Sequence, residues 1–203
     1  MIKSSMSVVK KIKNIRTPKT RLPIMPVFKK RFSPRVFSQK TISTQDLKII
    51  LEAARLTPSA KNNQPWFFYI ASSKSQSYKK IIESLPERNA IWAKTAPTIV
   101  VACYDPLEPT GDKNKWAIYD LGAAVVSLIY QAQKLGYYCR QIGIFESKKI
   151  KKILPLNKSF IPFTLIVLGK IGNEKDYKQA DPEIIKKELT KNSKKTKIFK
   201  LLP

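Results

Sequence analysis

Hydrophobic positions follow two different spacings along this chain, and each spacing indicates a different kind of element. Apolar residues three or four positions apart are typical of helices, whereas short β-branched or continuous apolar runs are typical of buried strands. One predicted helix ends before Pro58, and the others cover residues 74–85, 87–94, 115–135, 146–154 and 182–189. The predicted strands cover residues 66–70, 98–104, 137–142 and 160–169. Because these elements mix without strict βαβ order, we predict an α+β fold.

Residues 51–66, LEAARLTPSAKNNQPW, join the end of a helix to a strand through a short polar loop. Upstream, Ser43 and Asp46 have the spacing of a capping box, and Pro58 disfavours helical geometry at the residue before it. The hydroxyl and amide side chains of the loop could contact a planar polar ligand in a pocket. Considered alone, this segment is better interpreted as an ordinary connecting loop.

The longest predicted helix is apolar on nearly every side between residues 121 and 130, where Gly122, Ala123 and Ala124 are clustered. A helix without a polar face must be covered on all sides. In a domain of this size, a second subunit is the expected cover. The small residues would then allow the two helices to approach closely.

Composition limits the classes of protein that the chain can represent. Its 203 residues are 43% hydrophobic, which is enough for one domain with a real core. There is no histidine, which excludes Ser-His-Asp and Cys-His catalysis and the commonest zinc ligand sets. Cys103 and Cys139 lie in apolar segments and are expected to be reduced core residues of a cytoplasmic protein. The apolar runs are too short or too interrupted to predict a membrane span.

The formal net charge of +25 invites a nucleic-acid hypothesis. Only seven of the 39 basic residues are arginine, however, and the lysines are spread over every segment. Proteins that read base sequence usually rely on arginine, and no zinc-finger, RRM or KH motif is present. We therefore treat nucleic acid as a secondary partner, held only by non-specific electrostatics. Glycine-rich phosphate loops are also absent, so side-chain cations must hold any phosphate.

Arg31, Ser33 and Arg35 form an R-x-S-x-R cluster before the first long helix. Two guanidiniums and a hydroxyl within five residues suit a phosphate monoester, because arginine donates directional, charge-assisted hydrogen bonds. The alternative is a solvated basic face, which such a basic chain could easily present. Arginine is scarce here, so two in one pentapeptide favour the phosphate hypothesis.

Five motifs occur in the order and spacing of one known family: RFSPRVF, LEAARLTPSAKNNQPW, NAIWAKTAP, YDLGAA and LGYYCRQIGIF. Over residues 26–172 the chain resembles the FMN-dependent nitroreductase family, most closely its short branch with an RFSPR-type motif. The resemblance implies a homodimer with a central, mostly antiparallel sheet flanked by helices. Residues 1–25, with seven basic residues and no acid, are then expected to be a flexible arm. Residues 173–203 are expected to be a basic extension that packs on the partner subunit.

The resemblance also implies where FMN binds. Arg31, Ser33 and Arg35, with Phe32 in the same motif, would hold the phosphate, the ribityl chain and the ring edge. The residues that would reach a flavin bound mainly by the other subunit are Pro58, Ser59, Ala60 and Asn62. The residues that would pass beside the isoalloxazine ring are Gln141, Ile142, Gly143 and Ile144.

Further implied contacts are less direct. A backbone N–H of Gly143 or Ile144 would lie near the flavin N5, which is the reactive centre, so no catalytic side chain and no metal are expected. Lys194 and Lys195 would reach the phosphate, and Asn89 would contact the ring. These expectations rest on the resemblance alone.

The chain departs from the family pattern at three places. Phe32 stands where relatives often carry arginine or histidine. Ile144 occupies a position that is usually glycine, and a β-branched residue cannot adopt a positive φ cheaply. Arg140 and Gln141 replace a more apolar approach to the flavin. These departures leave the substrate open.

Other polar and aromatic positions have two interpretations. Trp92, Trp116 and Tyr119 could line a substrate face above the flavin, although aromatic residues at such positions are more often in the core. Asp120 and Gly122 match a D-x-G pattern of the family, for which a helix-start or packing role is the better interpretation.

The resemblance implies an enzyme that takes hydride from NADH or NADPH and passes electrons to a nitroaromatic, a quinone or a similar small acceptor by a ping-pong mechanism. The flavin would supply the chemistry and the protein would supply position and electrostatics. One alternative is a reductive dehalogenase or flavin-breakdown enzyme of the same fold. The other is a basic, nucleic-acid-associated protein with a degenerate flavin fold.

Overall fold

The computed structural model describes residues 6–155 and 159–190. Its helices are α1 (Val8–Arg16), α2 (Pro26–Lys30), α3 (Thr44–Arg55), α4 (Gln76–Glu83), α5 (Glu87–Ala93), α6 (Ala117–Lys134), α7 (Ser147–Ile153), α8 (Glu174–Gln179) and α9 (Pro182–Leu189). Its strands are β1 (Trp66–Ser72), β2 (Thr98–Tyr104), β3 (Tyr138–Ile142) and β4 (Ile161–Gly169). The order of elements agrees with the α+β prediction.

The four strands form one antiparallel sheet in the order β1-β2-β4-β3. The central strands β2 and β4 consist largely of buried β-branched and aliphatic residues, as expected for strands covered on both faces. One face packs against α3 and α6, and the other packs against α1, α4, α5, α7, α8 and α9. The predicted antiparallel sheet flanked by helices is therefore confirmed.

The start of α3 shows how a local motif is used for a tertiary contact. Ser43 Oγ accepts a hydrogen bond from Asp46 N at 3.0 Å, which is one half of a capping box. The Asp46 carboxylate makes a different contact, because it accepts a hydrogen bond from the Tyr137 hydroxyl at 2.6 Å. This bond ties the start of α3 to the residue that precedes β3.

Helix α6 is covered on only part of its circumference within this chain. Leu121 and Leu128 are fully buried, whereas Ile118 and Val126 are each 44% exposed and Tyr119 is 75% exposed. The expectation that residues 121–130 are buried on all sides is therefore not met by one chain alone. The exposed residues form an apolar face of α6 beside the loop that follows α3.

The expectation of a flexible arm at residues 1–25 is wrong for the part that forms α1. Ser7 Oγ caps this helix by accepting a hydrogen bond from Lys10 N, and Ile12 is fully buried. The apolar spacing of Val8, Val9 and Ile12 directs one face of α1 into the core. The abundance of lysine concealed this pattern in the sequence.

The C-terminal extension also packs on its own chain, as far as the structure describes it. Val9 N donates to Glu174 Oε1 at 3.2 Å, which joins α1 to α8. Arg16 donates to the backbone oxygens of Lys187 and Glu188, at 2.5 and 3.1 Å, which joins α1 to the end of α9. These contacts lie within one chain, and the expected contact of this extension with a partner subunit stays a prediction. The predicted tail at residues 191–203 lies outside the described residues.

The remaining predictions about composition concern the cysteines and the membrane. Cys103 and Cys139 are both buried and free, in agreement with the prediction of reduced core residues. In the part of the chain that the structure describes, no helix combines the length and the hydropathy needed to cross a bilayer.

Candidate functional site

The RFSPR motif lies beside β3, which is an edge strand of the sheet. Phe32 is 8% exposed and its ring centroid is 5.0 Å from that of Tyr138. The backbone oxygen of Ser33 accepts a hydrogen bond from Arg140 Nη1 at 2.7 Å. These contacts fix the motif along the strand, and they place the Phe32 side chain in the core, away from the surface that a ligand could reach.

The two arginines of the motif have different surroundings. Arg31 lies near Cys139 of β3, because its charge partly lowers the pKa of that thiol, which burial raises. Arg35 instead forms an ion pair with the fully buried Glu188, with 3.3 Å between Nη1 and Oε1. In residues 6–155 and 159–190, no carboxylate forms an ion pair with Arg31. Arg31 is therefore the arginine of the motif that can receive an external anion.

The end of β3 presents backbone and one polar side chain to solvent. Gln141 is exposed, and the alternation of a strand places it on the same face as Cys139. Ile142 is only 3% exposed, so only its backbone is available for a contact. Gly143 is exposed and Ile144 is 56% exposed. Neither residue adopts a positive φ, so Ile144 occupies this turn without backbone strain.

The loop between α3 and β1 is anchored to α6 and to the loop that joins β2 to α6. Asp120, which is 3% exposed, accepts a hydrogen bond from Ala60 N at 3.1 Å. Thr57 Oγ1 donates to Ser127 Oγ at 2.8 Å. Lys61 Nζ forms an ion pair with Glu108 at 2.7 Å. A helix-start role does not describe Asp120 fully, because its carboxylate holds a separate loop.

The same loop contains an unusual backbone conformation. Lys61, Asn62 and Gln64 have φ values of 53°, 55° and 45°, although none of them is glycine. Left-handed geometry costs about 1–2 kcal/mol for a residue with a side chain, and asparagine tolerates it best. Gln64 N donates to Ser59 Oγ at 2.9 Å, which closes the loop on itself. Such geometry persists only where surrounding contacts impose it, and it is common at ligand sites.

The two groups of candidate residues lie at opposite edges of the sheet. Residues 58–64 precede the start of β1, and Gly143 and Ile144 follow the end of β3. The pairing of Trp66 with Tyr104, Tyr104 with Ile161 and Ile142 with Leu165 puts both groups at the same end of the sheet. Three strand spacings of about 4.8 Å still separate the edge strands by about 14 Å. Within one chain the two groups of candidate residues are therefore well apart.

A cavity of about 470 Å³ lies on the other face of β3, between α5 and α9. Asn89, Trp92, Arg35 and Arg140 are among its lining residues. Trp92 is 4% exposed and belongs to the core, and the Arg140 guanidinium lies 4.9 Å from its ring centroid. Asn89 thus lines this cavity, on the face of β3 opposite to Gln141.

Two aromatic residues depart from the expectation of core packing. Trp116 is 46% exposed and Tyr119 is 75% exposed, and both lie at the start of α6. Their ring centroids are 6.4 Å apart. Gly122 follows on the exposed side of the same helix, where an added Cβ would contact nothing within 4 Å. Lys194 and Lys195 lie outside the described residues.

Sequence reasoning missed the residues that hold the candidate site in place. Glu188 had no motif to mark it, Arg140 was noted only as a departure from the family pattern, and Asp120 was noted only as part of D-x-G. The Arg35–Glu188 pair spans 153 residues and the Ser33–Arg140 bond spans 107, so no local pattern could reveal them.

Comparison with known proteins gives a consistent result. The model of the nitroreductase family matches residues 28–90. A protein of Archaeoglobus fulgidus with the provisional name NADH dehydrogenase/NAD(P)H nitroreductase is 30% identical over 155 residues, which cover 74% of this chain and 87% of the relative.

Two solved structures share both sequence and fold with the chain. One is an oxidoreductase containing FMN, with 28% identity, a TM-score of 0.77 and coverage of 84% of this chain and 86% of the other. The second is a nitroreductase family protein from Clostridium novyi, with 28% identity, a TM-score of 0.63 and coverage of 74% and 89%. Taken with the long match to the archaeal relative, these similarities show that the chain belongs to the nitroreductase family.

Proposed function

We propose that this chain is an FMN-dependent oxidoreductase that takes hydride from NADH or NADPH and reduces a small conjugated acceptor, such as a nitroaromatic or a quinone. The observation that carries the proposal is the position of Arg31 and the RFSPR motif beside the exposed end of β3. Two findings support the choice of cofactor: the chain belongs to the nitroreductase family, and it is similar to an oxidoreductase that contains FMN. When bound, the flavin supplies the ability to accept and return a hydride.

The residues beside β3 fit a flavin phosphate. Arg31 has no carboxylate partner among the described residues, and the half-buried Ser33 is fixed by its backbone bond to Arg140. A guanidinium and a hydroxyl suit the anionic oxygens of a phosphate monoester. Because Arg35 is already paired with Glu188, we assign the larger share of phosphate binding to Arg31 and Ser33, with Arg35 as a contact nearer the ring edge.

The remaining half of each flavin site comes from a second chain in our proposal. The Ser59–Asn62 loop and the Gly143–Ile144 backbone are held at opposite edges of the sheet, so one chain cannot bring them together. The exposed face of α6, with Ile118, Tyr119 and Val126, lies directly beside that loop. A two-fold dimer that covers this face would bring the partner's loop to each flavin site.

Within this arrangement the chain has two further tasks. Gln141 and the exposed backbone of Gly143 and Ile144 would orient the ring edge. The fixed loop at Ser59–Asn62 would provide side-chain amide and hydroxyl contacts. We further propose that the nicotinamide donor and the acceptor use the same exposed surface in turn, which gives ping-pong kinetics, and that the protein acts in the cytoplasm.

Calorimetry with FMN and riboflavin tests the phosphate assignment. FMN should bind more tightly, because each charge-assisted bond to the phosphate contributes about 1.5–3 kcal/mol. Arg31→Ala should weaken FMN binding and leave riboflavin binding nearly unchanged. Arg55→Ala is a matched control, because Arg55 is 60% exposed and pairs with Glu52 on the same helix, α3. Equal affinity of the unmodified protein for the two ligands would rule out the assignment.

Steady-state oxidation of NADH and NADPH with a panel of acceptors tests the reaction. The panel should contain a nitroaromatic, a quinone, a halogenated phenol and reduced flavin with oxygen, so that it also covers dehalogenation and flavin breakdown. Parallel double-reciprocal plots with a nitroaromatic or quinone would support the proposal. Turnover confined to the halogenated phenol would indicate a reductive dehalogenase instead, and turnover confined to reduced flavin with oxygen would indicate a flavin-breakdown enzyme.

Co-expression tests the shared site. One variant carries Arg31→Glu, and the other carries Ser59→Glu with Asn62→Glu. Each homodimer should lack flavin, whereas a mixed dimer has both defects in one site and an intact second site. Random pairing in equal amounts should restore FMN to about a quarter of all sites. Mixed dimers that bind no flavin would place the whole site within one chain.

A further inference from the structure

Glu188 is the buried carboxylate of the ion pair that holds Arg35. It lies in the last turn of α9, it is 0% exposed, and its Oε1 is 3.3 Å from Arg35 Nη1. In every other ion pair of the described residues, the carboxylate side chain is at least 15% exposed. A buried ion pair adds little net stability, because desolvation of the two charges offsets their attraction. A role in placing Arg35 therefore explains this pair better than a role in stability.

Helix α1 fixes the part of α9 that carries Glu188. Arg16, at the end of α1, donates from Nη2 to the backbone oxygen of Lys187 at 2.5 Å and from Nε to that of Glu188 at 3.1 Å. The last carbonyls of a helix have no partner within the helix, so these bonds satisfy two of them. Arg16 and Glu188 both lie outside residues 26–172, the part of the chain that carries the motifs of the family.

The charges around Arg35 explain why it needs a carboxylate. Arg35 and Arg140 both line the cavity between α5 and α9. Burial, and to a lesser extent the charge of Arg35, lower the pKa of Arg140 to about 10, while the charge of Glu188 opposes this change. The Arg35 side chain is 23% exposed, so without the carboxylate it would be free to turn toward solvent and away from Arg140. A guanidinium has five N–H groups, and the ion pair therefore leaves others for a ligand.

We propose that Glu188 is a positioning residue that holds the Arg35 guanidinium in the orientation in which it meets the flavin, and that Arg16 supports it by holding the end of α9. The inference rests on the proposed flavin site, in which Arg35 is a contact nearer the ring edge. A guanidinium held by a buried carboxylate is pre-organised, so less conformational entropy is lost when a ligand binds. Loss of the carboxylate should therefore weaken binding of the ring and leave the preference for the phosphate, which we assign mainly to Arg31, unchanged.

Fluorescence titration of the full chain, freed of flavin, with FMN and with riboflavin tests the role of Glu188. Glu188→Gln should weaken the binding of both ligands about tenfold, as expected for loss of one charge-assisted contact, so the ratio of the two affinities stays unchanged. Glu188→Asp keeps the charge and should restore part of the affinity. Arg16→Ala leaves the carboxylate in place and should weaken the binding of both ligands by a smaller factor. Glu52→Gln is the matched control, because Glu52 is 51% exposed and pairs with Arg55 on α3.

A double-mutant cycle separates positioning from a general effect on stability. In the Arg35→Ala background, Glu188→Gln should cause no further loss of flavin affinity, because the carboxylate acts through that arginine. An equal loss in both backgrounds would overturn the proposal, since Glu188 would then only stabilise the fold. Circular dichroism identifies the folded variants, and if Glu188→Gln is unfolded, Arg16→Ala takes its place in the same cycle.

Two further outcomes distinguish this inference from the proposed function. Unchanged flavin affinity in a folded Glu188→Gln or Arg35→Ala variant would overturn the positioning role and leave the flavin proposal standing on Arg31. Failure of the unmodified protein to bind either FMN or riboflavin would refute the proposed function together with this inference.

Discussion

Removal of the Asp120 carboxylate should release the loop that contains Ser59 and Asn62. The left-handed geometry of Lys61, Asn62 and Gln64 costs about 2–5 kcal/mol in total, with asparagine at the low end. The charge-assisted bond from Ala60 N to Asp120 offsets about 1.5–3 kcal/mol of this cost. The neutral bond from Gln64 N to Ser59 Oγ contributes about 0.5–1.5 kcal/mol. Because these contributions nearly balance the strain, loss of the largest one should open the loop.

Hydrogen exchange of the loop amides measures this opening directly. The backbone N–H groups of Ala60, Asn62, Asn63 and Gln64 all donate hydrogen bonds in the closed loop. Asp120→Ala should lower their protection by roughly 10–100-fold, which corresponds to the lost charge-assisted bond. Asp120→Asn keeps an acceptor oxygen without the charge, so protection of the loop amides in this variant should lie between that in Asp120→Ala and that in the unmodified protein. Affinity for FMN should follow the same order if the loop contacts the flavin.

A control distinguishes local opening from general destabilisation. Glu108→Gln removes the ion pair with Lys61, which is 69% exposed, and should change protection little because exposed pairs contribute about 0–1 kcal/mol. Amides of β2, in the centre of the sheet, should keep their protection in Asp120→Ala. Unchanged exchange at Ala60 and Asn62 in that variant would refute the reasoning. An equal loss of protection in β2 would refute it as well, since Asp120 would then stabilise the whole fold.

Three further predictions follow from single contacts. Ile12→Ala should lower the free energy of unfolding by about 2–5 kcal/mol in urea titrations, because Ile12 is fully buried, whereas the exposed Lys11→Ala should have little effect. The Tyr137 hydroxyl holds the pKa of Asp46 below its ordinary 3.8, so this stabilisation is present above pH 3.8 and is lost as the pH falls through the lower folded value. The melting temperature of the unmodified protein should therefore exceed that of Asp46→Asn at neutral pH and converge with it in strong acid. Burial raises the pKa of Cys103 to about 12 and also raises that of Cys139, so a disulfide reagent should titrate neither thiol before unfolding and both afterwards.

The elements that sequence alone located well are those with strong local patterns. The run TIVVACY predicted the observed bounds of β2, and the helix predicted over residues 182–189 has the observed bounds of α9, which Asp181 caps and Pro182 begins. Both signals are local, because β-branched residues favour strands and an Asp cap followed by proline favours a helix start. Helices α1 and α8 were missed because each has a short apolar face among many charged residues. Their stability comes from tertiary packing of Ile12 and Tyr177, which a local pattern does not contain.

The loop at residues 58–64 illustrates a different limit. Its composition indicated a polar turn between two apolar elements, and that interpretation was correct. Two features could not be predicted: the positive φ values of Lys61, Asn62 and Gln64, and the hydrogen bond from the loop to Asp120. Lysine and glutamine disfavour left-handed geometry when considered locally. The surrounding contacts overrule that preference, and such a conflict between local preference and fold is itself a sign of a functional segment.

The R-x-S-x-R motif shows why nearness in sequence does not settle a site. An extended segment would direct Arg31 and Arg35 to the same side, because they are four residues apart. The chain bends at Arg35, however, and the segment runs beside an edge strand that offers both of its faces. Arg35 consequently forms an ion pair with Glu188 of α9, whereas no carboxylate of the described residues pairs with Arg31. One sequence cluster thus contains one arginine that is held in an internal ion pair and one that we assign to the flavin phosphate.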